Sequence, residues 1–315
     1  MTTGTLTWLG DLPHAENVDL ATLTTMATPG VARLVVTPPD AASLQGLLRR
    51  LTEAHVSFIL LGGGSNVIFT RNEVRPVVVR LGKGFDFIEL TSEEGRLRAG
   101  AATLLTQVLN FALRNELAGL EWAVGIPGVV GGAVVGNAGA GKQGIGDHVV
   151  RVEGFTRSGE PVDFRPSDIR FDYRNSNLRH LIVTAVEIAL RLGKREEILA
   201  RMAEFRAKRK GQPYGDHSSG CVFRNPPGDH AGRLIDQAGL KGFSVGQASV
   251  SPAHANFLVN EGTASPEDVV ALIEEVRRRV KESQGVWLEL EAILLDPEHI
   301  DSPFPSGEGG QGVRR

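Results

Sequence analysis

The chain holds a single cysteine in 315 residues. That excludes an intrachain disulfide and suits a reducing compartment. Neither sign of charge is in real excess, with 34 Lys and Arg against 37 Asp and Glu and a formal charge of -3. There is therefore no electrostatic case for a nucleic-acid partner or an anionic membrane. No apolar run approaches the roughly 18 residues that a membrane helix needs. The opening Met1-Thr2-Thr3-Gly4-Thr5 lacks a basic stretch followed by an apolar core, so no signal peptide is expected and the cytoplasm is the expected location. His, Cys, Asp and Glu nowhere cluster at ligand spacing, so no metal site is expected, and no internal repeat is evident. What remains is an ordinary globular composition, 41% hydrophobic and 23% charged. At roughly 100–200 residues per domain, it allows two or three domains with sizeable cores.

Residues 1–30 are Thr-rich and weakly patterned and are expected to wrap the first domain. Residues 31–36 read as a strand. Asp40 caps a helix whose apolar face is Leu44, Leu47, Leu48 and Leu51. Strands follow at 56–61, 67–69, 77–81, 85–91 and 96–99, then a helix over 103–117 with Leu105, Val108, Leu109, Ala112 and Leu113 on one face. Strand patterns continue through 149–164, around a Ser158-Gly159 turn, and over 181–190; the polar run 171–176 between them reads as a loop. A charged helix over 195–210, with Ile198, Met202 and Phe205 inward, leads to a change of texture. A short helix near 231–238 ends at Gly239. A longer one begins at Ser265 and Pro266, with Val269, Leu272, Ile273, Val276 and Val280 buried. The run 286–295 reads as a last strand, and the Pro/Gly-rich tail 299–315 as disordered.

Two glycine systems interrupt these strands. Gly62-Gly63-Gly64-Ser65-Asn66 lies between two apolar β runs, where glycines admit positive φ and let backbone N–H groups approach a phosphate. The second runs from Gly125 to Gly141. Within it, Gly139-Ala140-Gly141-Lys142-Gln143-Gly144 spells the dinucleotide fingerprint G-x-G-x-x-G, but residues 148–155 just beyond it alternate like a strand instead of opening a helix. The stretch 136–142 spells G-x-x-x-x-G-K, but Gln143 stands where a P-loop needs Ser or Thr for magnesium. Neither reading holds.

The lone cysteine lies in Gly220-Cys221-Val222-Phe223-Arg224-Asn225-Pro226. By itself such a cysteine reads as a small buried hydrophobe. Taken with Leu61-Gly62-Gly63-Gly64-Ser65-Asn66, Gly125-Ile126-Pro127-Gly128, Gly131-Gly132-Ala133 and Gly136-Asn137-Ala138-Gly139-Ala140, the segment acquires a context. Further pieces are Tyr173-Arg174-Asn175-Ser176, Leu234-Ile235-Asp236, Gly239-Leu240-Lys241-Gly242, His254-Ala255-Asn256-Phe257 and Trp287-Leu288-Glu289-Leu290-Glu291. Taken in chain order, over roughly residues 20–295, these segments resemble the UDP-N-acetylenolpyruvoylglucosamine reductases (UDP-N-acetylmuramate dehydrogenases) of peptidoglycan precursor synthesis. The few residues between Arg174 and the strand at 181 match the shorter form, which lacks an extra tyrosine-bearing loop.

The resemblance implies an α+β fold: a two-part FAD-binding module of the vanillyl-alcohol-oxidase (PCMH) type over residues 1–194, with lobes of about 1–84 and 85–194. A smaller α+β substrate-binding domain would follow over 195–298, its last strand returning to the active site. It implies non-covalent FAD, NADPH as co-substrate, and UDP-N-acetylglucosamine enolpyruvate as the acceptor. Hydride would pass from the flavin to the enolpyruvyl β-carbon, and Cys221, serine in many members, would protonate the α-carbon. A thiol, with an unperturbed pKa of about 8.5, is a far stronger acid than an alcohol. Arg174 would hold the substrate carboxylate in a two-pronged grip, and Glu291, protonated, would donate to the enolate. Gly62, Gly63, Gly64, Ser65, Asn66, Gly125, Ile126, Pro127, Gly128, Gly132, Asn137, Ala138 and Gly139 would line the cofactor. Tyr173, Arg206, Lys210, Asn225, Lys241 and Asn256 would line the substrate, although a solvated helix face explains Arg206 and Lys210 almost as well.

The chain also departs from the family pattern. After Thr24-Thr25, Ala27-Thr28-Pro29-Gly30 replaces an Arg-x-Gly-Gly run. Val129 stands where Ser or Thr is usual, and Ile293 replaces an arginine. No nucleic-acid or membrane partner is expected, and the protein is expected to act as a monomer. Two alternatives to the active reductase stay open: a relative that binds FAD or a nucleotide sugar without turnover, and a flavin oxidase for another small substrate.

Overall fold

The computed structural model describes residues 8–213 and 215–299. The tail expectation falls, from residue 300 on, outside the described residues. The first sheet is built from strands β1 (His14–Asp19), β2 (Val31–Val36), β3 (Phe58–Leu60), β5 (Glu73–Val74) and β6 (Val77–Val79), in the order β1-β2-β6-β3 with β5 beside β2. The strand β4 (Val67–Phe69) stands apart from it. Helix α1 (Ala41–Glu53) starts where the Asp40 carboxylate accepts the Ser43 N–H at 2.8 Å. Its Leu44, Leu47, Leu48 and Leu51 are wholly buried against Leu34, Val36, Phe58, Val77 and Val79 of that sheet.

The second sheet is antiparallel. Strands β7 (Ile88–Leu90), β8 (Arg96–Gly100), β9 (Val149–Thr156), β10 (Pro161–Phe164) and β11 (Leu181–Ala189) run in the order β10-β9-β11-β8-β7. Helices α2 (Leu105–Arg114) and α3 (Val130–Val135) bury Leu105, Val108, Leu109, Val130 and Val134 in one core with Leu97, Val152 and Val186. Helix α4 (Arg195–Lys208), expected as a link into a new domain, sends Ile198 and Met202 into this same core.

A third sheet, of β12 (His217–Cys221), β13 (Ser244–Val245), β14 (Ala248–Val250) and β15 (Phe257–Asn260), has the order β12-β15-β14-β13. It shares a core with α5 (Ala231–Gln237) and α6 (Pro266–Gln284). The longer helix has the stop and start signals that its sequence carries: a reciprocal Ser265–Asp268 capping box, Pro266 in the first turn, and Gly285 at φ +74° closing the end. The last strand, β16 (Ile293–Leu295), then returns to the first lobe and pairs in parallel with β4, Ile293 opposite Val67. Thr25 strengthens the junction by donating from Oγ1 to Ser218 O at 2.6 Å, and Asn260 Nδ2 donates to Met26 O and Ala27 O at 3.0 Å. Among the described residues no helix is long and apolar enough to cross a membrane.

Several local expectations give way to tertiary context. The weakly patterned N-terminal stretch contains strand β1, an edge strand that is nearly all exposed, so it carries no alternation to read. The strand expected over 85–91 is a short helical turn, Lys83–Phe85, followed by β7. Phe87 lies between them, its N–H and carbonyl both bonded at 3.0 Å by the Thr103 hydroxyl. Helix α3 was hidden by its glycines, although Val130, Ala133 and Val134 have the i, i+3, i+4 spacing of a buried face. The run 286–295 is extended but only its end is strand, because Val222 O takes the N–H of both Glu291 and Ala292, which breaks the ladder.

Candidate active site

The two glycine systems meet. A Cβ on Gly63 would stand 3.2 Å from Gly128 Cα, and one on Gly62 would stand 2.9 Å from Val129 Cγ2. Gly64, at φ +64°, is backed by the Thr24-Thr25 turn: any side chain there would collide with Leu23 O, and Thr25 N donates to Gly64 O at 3.1 Å. At Gly64 only glycine fits without backbone rearrangement, while Gly62 and Gly63 let the two loops approach closely. Ser65 Oγ donates to Pro127 O at 3.4 Å, tying the two loops together. Ile126 packs against the second-lobe core, and Gly125, at φ +75°, makes the turn before it.

The backbone N–H groups of Gly62, Gly63, Gly64, Ser65 and Asn66 find no acceptor among the described residues, nor do those of Gly128 and Val129. The hydroxyl of Thr24, directly behind Gly64, is buried and unpartnered among the described residues. Two abutting glycine-rich loops of unclaimed N–H donors suit the diphosphate of a dinucleotide such as FAD. Gly132 faces open space. The side chains of the 137–139 segment serve the protein instead: Asn137, at φ +45°, donates to Asp172 O at 2.8 Å and accepts from Gly146 N at 3.1 Å. Ala138 N donates to Ala133 O at 2.7 Å. The literal G-x-G-x-x-G is a hairpin in which Gly139 pairs with Gly144, followed by one 3-10 turn, Ile145–Asp147, and then strand β9, with no α-helix.

Past this cradle stands a cluster that the sequence scatters. The polar run 171–176 is itself a small hairpin with Tyr173 and Arg174 at its turn. Arg174 holds φ at +54°, a conformation non-glycine residues rarely adopt. Its Nη2 donates to Gly139 O at 2.8 Å and its Nε to Glu291 Oε1 at 2.6 Å. The Tyr173 ring lies 5.3 Å from the guanidinium, its outer part exposed. Glu291 is held through its backbone: its N–H donates to Val222 O at 2.8 Å, and its carbonyl accepts from Asn66 Nδ2 at 3.2 Å. Asn66 O in turn accepts the Ile293 N–H at 2.9 Å. One residue of the first glycine loop therefore fixes both the Glu291 main chain and the start of β16.

Burial pushes the Glu291 carboxyl up, against the opposing pull of Arg174 and of Arg224. For an acid in a 2.6 Å ion pair that direction means that desolvation wins. Cys221 ends β12 and is partly exposed as a residue. Burial of the thiol, aided by the Glu291 charge, pushes it up to about 12, against Arg174, Arg209 and a hydrogen bond with Asn256. At neutral pH the thiol is protonated and is a donor.

Asn256 is buried within the third sheet. Its Oδ1 accepts from Phe223 N at 3.0 Å and its Nδ2 donates to Phe223 O at 2.8 Å. Asn256→Ala strips the partners from the buried N–H and C=O of Phe223 and is expected to cost about 2–4 kcal/mol of stability. Urea denaturation of the flavin-loaded protein measures it, and a loss under about 1 kcal/mol would show that this amide does not hold the strand. The other residues expected at the substrate are more dispersed. Asn225 Oδ1 accepts from Ala231 N at 3.0 Å, at the start of α5. Lys241 pairs with Asp236 at 2.9 Å, while Arg206 and Lys210 are exposed at the end of α4 and just beyond it.

Two arginines at this site escaped the sequence reading. Arg179 Nη2 donates to Arg174 O at 3.1 Å and its Nε to Asn175 Oδ1 at 2.7 Å. Arg224 has its Nε buried without a hydrogen-bond partner among the described residues. A signal for Arg224 was present: a cation directly after the apolar pair Val222-Phe223 has no ordinary place in a buried strand.

Residues 32–165 match an FAD binding domain family, and residues 212–295 match the UDP-N-acetylenolpyruvoylglucosamine reductase C-terminal domain. The chain is 40% identical to the UDP-N-acetylenolpyruvoylglucosamine reductase of Desulfosudis oleivorans, over 86% of this chain and 91% of that one. To the one from Heliobacterium modesticaldum it is 42% identical, over 86% and 87%. The crystal structure of the Thermus caldophilus enzyme superimposes with a TM-score of 0.76 at 40% identity, covering 90% of this chain and 98% of that one. The α+β class and the FAD-binding module followed by a smaller C-terminal domain stand as expected. With matches running through both halves of the molecule, the chain belongs to the UDP-N-acetylenolpyruvoylglucosamine reductase family.

Proposed function

We propose that the cluster of Arg174, Glu291 and Cys221 is the catalytic centre at which this flavoenzyme reduces UDP-N-acetylenolpyruvoylglucosamine for peptidoglycan synthesis, with NADPH as the reductant. Family membership supports the reaction. The observation that carries the site is the 2.6 Å pair between Arg174 and Glu291, residues on separate halves of the chain, with a desolvated thiol within reach of both charges. FAD, when bound, supplies the hydride chemistry. The loops 62–66 and 125–128 hold its diphosphate with their free N–H groups, with Gly132 and the 137–139 segment at the rim.

The chain's own residues then have three tasks. Arg174, anchored by Gly139 O, holds the substrate carboxylate. Glu291, whose carboxyl burial pushes toward the neutral form, donates in that form a hydrogen bond to the enolate oxygen that develops there. Cys221 gives its proton to the α-carbon. Tyr173, Arg206, Lys210, Asn225, Lys241 and Asn256 would line the path of the nucleotide sugar; for Asn256 and Asn225 the role includes holding the strand and the helix start described above.

We further propose a module over residues 1–194 and a substrate domain over 195–298, α4 linking them while its buried face stays with the first. We also propose that the protein acts as a monomer in the cytoplasm; the near-neutral charge of -3 supports the reading without nucleic-acid or membrane partners. Anaerobic stopped-flow at the flavin absorbance tests the function. Protein reduced by NADPH and mixed with the enolpyruvyl substrate is expected to reoxidise rapidly; reduction without reoxidation by this substrate would overturn the reading.

A further inference from the structure

We propose that Arg224 binds the carboxylate of the substrate's enolpyruvyl group together with Arg174. The inference rests on the reductase reading above. Arg224 is placed rigidly. Its N–H donates to Glu289 O at 2.8 Å, Phe223 is bridged to Leu290, and Val222 O takes the Glu291 N–H at 2.8 Å. The segments carrying Arg224 and Glu291 are thus zipped together, with Val222 and Phe223 wholly buried between them and the core.

The guanidinium at the end of this rigid stretch lacks an anion. Its Nε is closed off from solvent without a hydrogen-bond partner, and no carboxylate among the described residues lies within ion-pair distance of it. Its charge is felt by Glu291 and by the half-buried Arg179. Arg179 is bonded to the Arg174 carbonyl and to Asn175, not to an acid. Three guanidinium groups, of Arg174, Arg179 and Arg224, therefore share one nearby carboxylate, and Arg174 has taken it. A desolvated cation without a counter-ion is costly, so this excess of positive charge prepares a place for an incoming anion.

The substrate carries two kinds of anion, a carboxylate and a diphosphate, on different carbons of the sugar. Cys221 and Glu291 decide between them. The α-carbon must reach the Cys221 thiol to be protonated, and the carboxylate is one bond from that carbon. Arg224 lies on the segment zipped to the one that carries Glu291, and its charge acts on Glu291; that favours the carboxylate end, with the sugar ring between it and the diphosphate. The planar fork of arginine suits a carboxylate better than a point charge does.

Titration calorimetry on the FAD-loaded protein tests this with two ligands: UDP-N-acetylmuramate, which carries the carboxylate, and UDP-N-acetylglucosamine, which lacks it. Arg224→Gln is expected to weaken the first by about tenfold or more and to leave the second unchanged within about twofold. Arg224→Lys should recover part of the loss. Equal weakening of both ligands, or of neither, overturns the proposal. Should Arg224→Gln fail to fold, Arg224→Lys carries the test, with the same selectivity at a smaller size; a non-selective result again overturns it. If the wild-type protein itself does not favour the carboxylate-bearing ligand, the inference falls, while the reductase reading stands or falls separately by the stopped-flow reoxidation above. A wild type that discriminates beside an Arg224→Gln that discriminates equally sinks the inference alone.

Discussion

Glu291→Gln is expected to slow the reaction with the enolpyruvyl substrate by on the order of a thousandfold, while reduction by NADPH continues at nearly the wild-type rate. The substitution is nearly isosteric. The amide oxygen can still accept the Arg174 Nε that now lies 2.6 Å from Glu291 Oε1, so Arg174 keeps its place. What is lost is the acidic proton. Burial raises the carboxyl pKa in the folded protein even against two arginines, and such an environment favours the neutral form that can donate to a developing enolate. That upward shift fixes the sign of the pH effect. With a raised folded pKa, the protonated form is full at low pH and is lost as pH rises through that value. The wild-type second half-reaction should therefore decline on the alkaline side with an apparent pKa above that of an ordinary glutamic acid, and Glu291→Gln should lack that limb. Single-turnover mixing over a pH series measures both. Normal reoxidation in Glu291→Gln would remove the acid from the mechanism.

How much of this was open to sequence reading differs by level. Helices α1 and α6 were legible because their caps and apolar faces are local: Asp40 with Leu44, Leu47, Leu48 and Leu51, and Ser265 and Pro266 with Val269 to Val280. Strand β1 was not, since an exposed edge strand owes its existence to its partner β2 and not to its own pattern. The site is further from local pattern still. Arg174, Cys221 and Glu291 are brought together by a hairpin turn, a sheet edge and an irregular strand, and no spacing rule connects them. A family resemblance could point to them one by one; it could not give the ion pair, the Asn66 bond that ties the first glycine loop to Glu291, or the unclaimed guanidinium of Arg224. The same resemblance placed Asn256 at the substrate, and the structure adds a reason for that residue type: an amide alone offers both the acceptor and the donor that the Phe223 peptide group uses.

Cys221 gives the second large effect. Cys221→Ala should take up FAD and be reduced by NADPH normally, yet reoxidise with substrate slower by roughly 10²–10⁴-fold, the usual worth of a positioned acid. Cys221→Ser should fall between, because a hydroxyl can donate a proton from the same place but is a weaker acid than the thiol. The environment argues for a proton donor and against a nucleophile. Desolvation and the Glu291 charge hold the thiol up to about 12, so the thiolate is scarce at any physiological pH. As the only cysteine, it can be followed directly: iodoacetamide at about pH 8 should label the unfolded chain, whose thiol is partly ionised there, and spare the native one. The raised pKa also has a stability cost with a definite sign. The free thiol ionises at about 8.5–9 and the folded one at about 12, so between them the unfolded chain ionises while the folded one does not. Stability should fall across that window, and Cys221→Ser should lose this part of the decline. Rapid labelling of the native protein under those conditions, together with full turnover by Cys221→Ala, would show that the thiol is neither desolvated nor the donor.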